Sequence, residues 1–230
     1  MPFDSTHQRL VGQDCTPMGP VAKGLENGVK SHVLAARVAA AGDPSIVAAI
    51  KAELECEDKK VRNVAVKTLS HLAGYRPEWL MGELDFFLGL LENEENTWKW
   101  AAMDVVGHLA ELDGGKKIGE VVIEMFIASL KDSSMVTATH GVDNVVRVAL
   151  TRTDFHSQAL AELFQVESIP RRADCREVLL GKVADGLGRL LSLLSDVNHA
   201  AALTFLSHLS MRDGRAGSKA AKIISKQDRS

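Results

Sequence analysis

The chain has 230 residues, 46% of them hydrophobic but only 5% aromatic, and a formal net charge of -3. That apolar content is enough for a sizeable core, while the shortage of aromatic residues argues against a sandwich or barrel and for closely packed helices. The near-balanced charge excludes a chain that is basic throughout, as nucleic-acid binders tend to be.

Residues 1–20 hold three prolines and two glycines without helical periodicity, and predict a flexible N-terminal arm. From residue 21 apolar residues recur at helical spacing. The later prolines, Pro44, Pro77 and Pro170, fall between such stretches, where a helix must begin or end. The pairs Ile50/Leu54, Phe87/Leu91, Ile123/Ile127 and Leu187/Leu191 mark first helices of hairpins. Each is followed by a polar turn with a capping candidate, in order Asp58, Asn96, Asp132 and Asp196. Residues 151–174 are irregular, with one shorter helix before a break. The repeat region is thus expected over 21–212. The remaining 213–230 carry Arg215, Lys219, Lys222, Lys226 and Arg229, and predict a basic tail or capping helix.

An internal repeat carries the fold assignment. VRNVAVKTLSHLAG, from Val61 to Gly74, places Val61, Ala65, Leu69 and Leu72 on one helical face. WKWAAMDVVGHLAE, 37 residues on, puts Trp98, Ala102, Val106 and Leu109 in the same places. A further shift of 36 brings in Ala138, Val142 and Val145, and NHAAALTFLSHLS supplies a late copy with Ala202, Leu206 and Leu209. The pattern, with AELECEDKKVRNVAVKTLSHLAG as its closest instance, resembles the HEAT-repeat (armadillo-like) family from about residue 30 to 212. Arg62 becomes Lys99, Met135 and His199 in the later copies, so the polar ladder of the family is only partly kept. The resemblance implies an all-α, right-handed α-solenoid of about five helical hairpins. It also implies that the second helices line a concave face on which a protein or peptide partner is held.

Carried over by register, that face is expected to present Asn63, Lys67 and Ser70, then Trp100, Asp104 and Gly107, then His140, Asp143, Asn144 and Arg147. Trp100 is the expected anchor, because large aromatic residues dominate interface hot spots. Charge varies along the chain. Residues 76–132 hold five basic and twelve acidic residues, whereas 136–230 hold thirteen and ten.

No catalytic constellation emerges. His71, His108 and His208 take equivalent repeat positions, but packed helices about 8–10 Å apart hold such residues too far apart for one ion. No histidine is followed by glutamate, which excludes the iron site of HEAT-like hydroxylases. Trp100 and Asp104 resemble the Trp-x-x-x-Asp pair of HEAT-like alkylpurine DNA glycosylases, with Arg147, Arg152, Arg171, Arg172 and Arg176 as phosphate contacts, and this is the alternative function. A small chromophore in the groove, as in HEAT-like bilin lyases, is a third class. The Gly186–Gly188 segment lacks the context of a phosphate loop. Neither metal nor cofactor is expected. Cys15, Cys56 and Cys175 form no paired pattern, so no disulfide is expected and a reducing cytoplasm fits best. The N-terminus has no signal-peptide pattern, and no stretch is long and apolar enough to span a membrane.

Overall fold

The computed structural model describes residues 19–113 and 118–227. The arm expected over residues 1–20 lies outside the described residues as far as residue 18. Among the described residues there are twelve α-helices, joined by short 3-10 turns, and no strand. Helices α1 (Pro20–Glu26) and α2 (Ser31–Ala41) precede five hairpins. These are α3 (Ile46–Ala52) with α4 (Lys59–Ala73), α5 (Leu84–Leu90) with α6 (Asn96–Asp113), and α7 (Glu120–Leu130) with α8 (Met135–Thr151). Then come α9 (His156–Gln165) with α10 (Ala173–Leu190), and α11 (Asp196–Ser210) with α12 (Arg215–Gln227).

Proline places the first helix: Pro20 occupies its first turn, where a missing N–H costs nothing. The Glu53 carboxylate, itself buried, accepts from the Val21 and Ala22 N–H groups at 2.9 and 2.8 Å and so satisfies that helix end. Asp58 caps α4 as predicted, accepting from the Lys60 N–H at 2.7 Å. The other predicted caps differ. Ser134, not Asp132, caps α8, and Asp132 instead accepts from the Ser134 N–H at 2.7 Å. Asn96 and Asp196 are the first helical residues of α6 and α11 rather than caps.

Packing sorts the helices into two layers. Helices α4, α6, α8, α10 and α12 each lie against the next in an inner row, while α3, α5, α7, α9 and α11 cover it from outside. Cross-row contacts keep ascending order (Asn63 to Trp98, Ser70 to Asp104, Asp104 to His140, Asp143 to Lys182), so the inner helices run parallel. Helix α2 extends the row antiparallel to α4: His32 near its start meets His71 near the end of α4, ring centroids 6.0 Å apart. The architecture is an all-α solenoid. Ala65, Ala102 and Ala138, the small residues of the repeat, are fully buried where neighbouring helices approach.

The sequence register fails in the last repeat. Residues 198–210 were expected as a second helix, yet α11 stands in the outer layer, where Phe164 of α9 stacks on Phe205 at 4.5 Å. The inner helix there is α10, and α12 packs along α10 and α11. The Glu177 carboxylate accepts from the Ala216 N–H at the start of α12. Residues 151–174 form α9 and its flanking 3-10 turns (Thr153–Phe155 and Val166–Ser168). Gly186 serves close packing, since a Cβ there would stand 2.5 Å from Val146 Cγ2.

Cysteine chemistry also departs from expectation. Cys175 is a free thiol, but Cys56 is disulfide-bonded. The cysteine argument for a reducing cytoplasm falls with it. Among the described residues no helix is long and apolar enough to cross a membrane.

Replacing Ala102 by Leu is expected to overpack the α4–α6–α8 contacts, at roughly 1–3 kcal/mol. Solenoid stability is largely local, so hydrogen exchange should rise over residues 80–145 before it rises near α12. Ala221→Leu, at an exposed position, should leave exchange unchanged. A uniform loss of protection along the chain would mean that the stack unfolds as one unit.

Candidate functional site

The expected face residues lie on three consecutive inner helices: Asn63 and Lys67 on α4, Trp100 and Asp104 on α6, and His140, Asp143, Asn144 and Arg147 on α8. On α6, Trp100, Asp104 and His108 recur every four residues and share one helical face. The repeat register puts Lys67, Asp104 and His140 at equivalent positions.

Asp104 is the hub that ties the three helices together. Its carboxylate accepts from Ser70 Oγ of α4 at 3.2 Å, contacts His140 Nδ1 of α8 at 2.8 Å, and lies 3.6 Å from Arg147 Nη1. Burial pushes the Asp104 carboxyl up. The hydrogen bond and charge of His140, with Arg147 and Ser70, outweigh this and hold its pKa below the ordinary value. Trp100 is half-buried. Its indole N–H donates to Thr137 Oγ1 at 3.0 Å, and its ring lies near-parallel to the His140 imidazole, 6.1 Å away. Trp98, expected in the core, is also half-buried and donates to Asn63 Oδ1 at 3.1 Å. Asp143 pairs with Lys182 of α10 at 2.6 Å, and Asp185 pairs with Lys219 of α12. Lys67 is exposed.

Asn144 is the correction among these residues. It is fully buried and is not available to a partner. Its Oδ1 accepts from Arg147 Nη1 at 2.8 Å, and it occupies the space that Gly107 leaves open, where a Cβ would stand 1.9 Å from that oxygen. Among the described residues Asn144 Nδ2 has no hydrogen-bond partner. Gly107, expected on the open face, is therefore a packing residue.

Sequence reasoning missed Thr137, which stands 37 residues after Trp100, the same shift as between the first two repeat copies. It also missed the electrostatic weight of His108. Burial first, then Arg147 and Arg189, bring that imidazole down to about 4 against the opposing pull of Asp104. His71 is lowered too, chiefly by burial and then by His32.

The arginines assigned to phosphate contacts do not form a set. Arg171 donates to the Leu130 and Asp132 carbonyls at the end of α7, and Arg176 donates to the Arg171 carbonyl at 3.1 Å. Arg152 and Arg172 pair with Asp154 and Asp174, each two residues away. Among the described residues no three His, Cys, Asp or Glu side chains are grouped to hold a metal ion.

No known family profile matches the chain, and no curated protein matches it by sequence. Solved structures do match. A designed armadillo repeat protein, YIII(Dq)4CqI, superposes with a TM-score of 0.63 at 15% identity, covering 95% of this chain and 96% of that one. An engineered protein from the Northeast Structural Genomics Consortium gives 0.52 at 13% identity, covering 90% and 96%. At such identities the likeness is one of fold, and that fold is the armadillo-like repeat solenoid.

Proposed function

We propose that this solenoid is a non-catalytic scaffold that holds a protein or peptide segment against its inner helical row. The observation that carries this is the row itself. Five parallel helices stand side by side, and side chains between them are held by contacts between neighbouring repeats. Repeat stacking of this kind produces an extended binding surface. Asn63, Lys67, Trp100, Asp104, His140, Asp143 and Arg147 are the contact residues of this proposal, with Trp100 as its largest contact.

The test uses a photo-crosslinking amino acid at Lys67 on the inner row, and the same group at Val121, which is 71% exposed on outer helix α7. In extract of the native cell, a discrete adduct is expected from the Lys67 position and not from Val121. Trp100→Ala is expected to weaken that adduct about thirtyfold, the loss of a hot-spot residue worth about 2 kcal/mol. Equal adducts from both positions would reject the inner row as the binding surface. An unchanged adduct in folded Trp100→Ala would reject the anchor. The glycosylase alternative requires release of methylated purines from alkylated DNA, and the dispersal of its arginines gives it no support.

A further inference from the structure

Toward the C-terminal ends of four consecutive inner helices stand His71 of α4, His108 of α6, Arg147 of α8 and Arg189 of α10. Helix dipoles favour cations at such ends, which accounts for the two arginines but not for what answers their charge, while burial holds both imidazoles below their ordinary pKa. Elsewhere along the inner row several charges are matched across adjacent helices, although the exposed Lys67 has no ion pair among the described residues. Asp143 is paired with Lys182, Asp185 with Lys219, and Asp104 is shared among Ser70, His140 and Arg147. The end of the row differs. Arg189 is exposed and, among the described residues, has no ion-pair partner. Arg147 makes its contacts, to Asn144 and Asp104, through Nη1 alone, leaving Nη2 and Nε free among the described residues. The charges acting on His108 are Arg147, Arg189 and the already occupied Asp104.

We propose that the surface bounded by His108, Arg147 and Arg189 receives the side-chain carboxylate of an acidic segment in the protein partner. This rests on the inner-row scaffold proposed above and names the chemistry of its partner. A guanidinium with two free donors suits a carboxylate in the two-point geometry that makes such pairs strong. A nucleic acid fits less well. Its phosphates follow one another at about 3.4 Å of axial rise per strand, and beyond the cationic spot they would meet the exposed Glu111, three residues after His108. A single carboxylate avoids that charge. Trp100 lies eight residues before His108, so the two are about 12 Å apart along α6. An extended chain covers that distance in roughly four residues. The segment recognised therefore carries an apolar residue for Trp100 and an acidic residue about four positions away.

The experiment uses the full chain and two fluorescein-labelled pools of twelve-residue peptides, random except for a fixed Leu followed four positions later by Glu in one pool and by Gln in the other. The Glu pool is expected to be retained roughly five-fold better, the worth of about 1 kcal/mol of exposed charge pairing. That ratio should fall to near one in Arg189→Gln, whose exposed side chain can be removed without touching the core. Equal retention of both pools, lost in Trp100→Ala, overturns the acidic segment and leaves the inner-row scaffold standing. A ratio unchanged by Arg189→Gln overturns the placement. Stronger retention of a twelve-nucleotide oligothymidylate than of the Glu pool overturns the choice of a peptide carboxylate. Retention of neither pool also overturns this inference, while the crosslinking at Lys67 reports on the scaffold independently.

Discussion

Bringing the protein from pH 7 to pH 4.5 is expected to remove about 2–3 kcal/mol of stability through His108 alone. In the unfolded chain the imidazole takes up its proton near its ordinary pKa of 6.5, whereas the folded protein holds it down to about 4. Between those values the unfolded state binds a proton that the folded state refuses, so each step downward in pH favours unfolding. His71 is shifted the same way and adds to the trend. Asp104 acts in a different window. Its pKa is lowered, so its stabilising effect is whole above the ordinary carboxyl value of 3.8 and is lost only as pH falls below it. Urea unfolding of the wild type and His108→Gln at intervals from pH 7 to 4.5 separates the terms. The wild type should lose stability faster, and the variant should become the more stable of the two at the acid end. Parallel curves would show that the imidazole is not held neutral by its surroundings.

The same residues show what periodicity conveys and what it does not. The fold is readable because buried positions recur: Ala65, Leu69 and Leu72 have buried counterparts at shifts of 37 and then 36 residues, and a helix packed between two neighbours must repeat its small and large residues. The last hairpin was misplaced because letter identity was weighed above burial. LSHL recurs at Leu206–Leu209, but α11 buries only Ala202, Leu206 and Leu209, the single stripe of an outer helix. Helix α10, packed between two inner neighbours, buries eight residues on more than one side. Helix α12 reads only as a basic tail or capping helix, because what it buries, Ala216, Gly217 and Ala220, is too small to give a hydropathic signal.

For the candidate site, register places Asp104, His140 and Arg147 on neighbouring helices, where they touch. It could not distinguish a side chain open to a partner from one spent on the neighbouring repeat. That depends on how closely two helices approach, which the sequence states only through its smallest residues. Gly107 is such a residue, and its effect appears 37 positions later, in the burial of Asn144.

Gly107→Ala is therefore expected to destabilise the protein by about 3 kcal/mol, the upper part of the range for overpacking. The new Cβ would stand 1.9 Å from Asn144 Oδ1, 2.7 Å from its Cγ and 3.4 Å from Arg147 Cδ. Relief requires α6 and α8 to separate or Asn144 to leave its place. Either move disturbs the Arg147 hydrogen bond and the Asp104 hub beside it. Asn144→Ala alone should cost much less. It removes the acceptor of one Arg147 hydrogen bond, but also a buried amide nitrogen without a partner among the described residues, and an unpaired buried donor is itself a cost of roughly 1–3 kcal/mol. In the double variant the added methyl occupies space that the amide has vacated. Its loss should therefore fall at least 1 kcal/mol short of the sum of the two singles, a coupling of the size seen between residues in contact. Thermal or urea unfolding of the four proteins measures this directly. Strict additivity would mean that Gly107 is required for something other than admitting Asn144, and the close approach of α6 and α8 would need another cause.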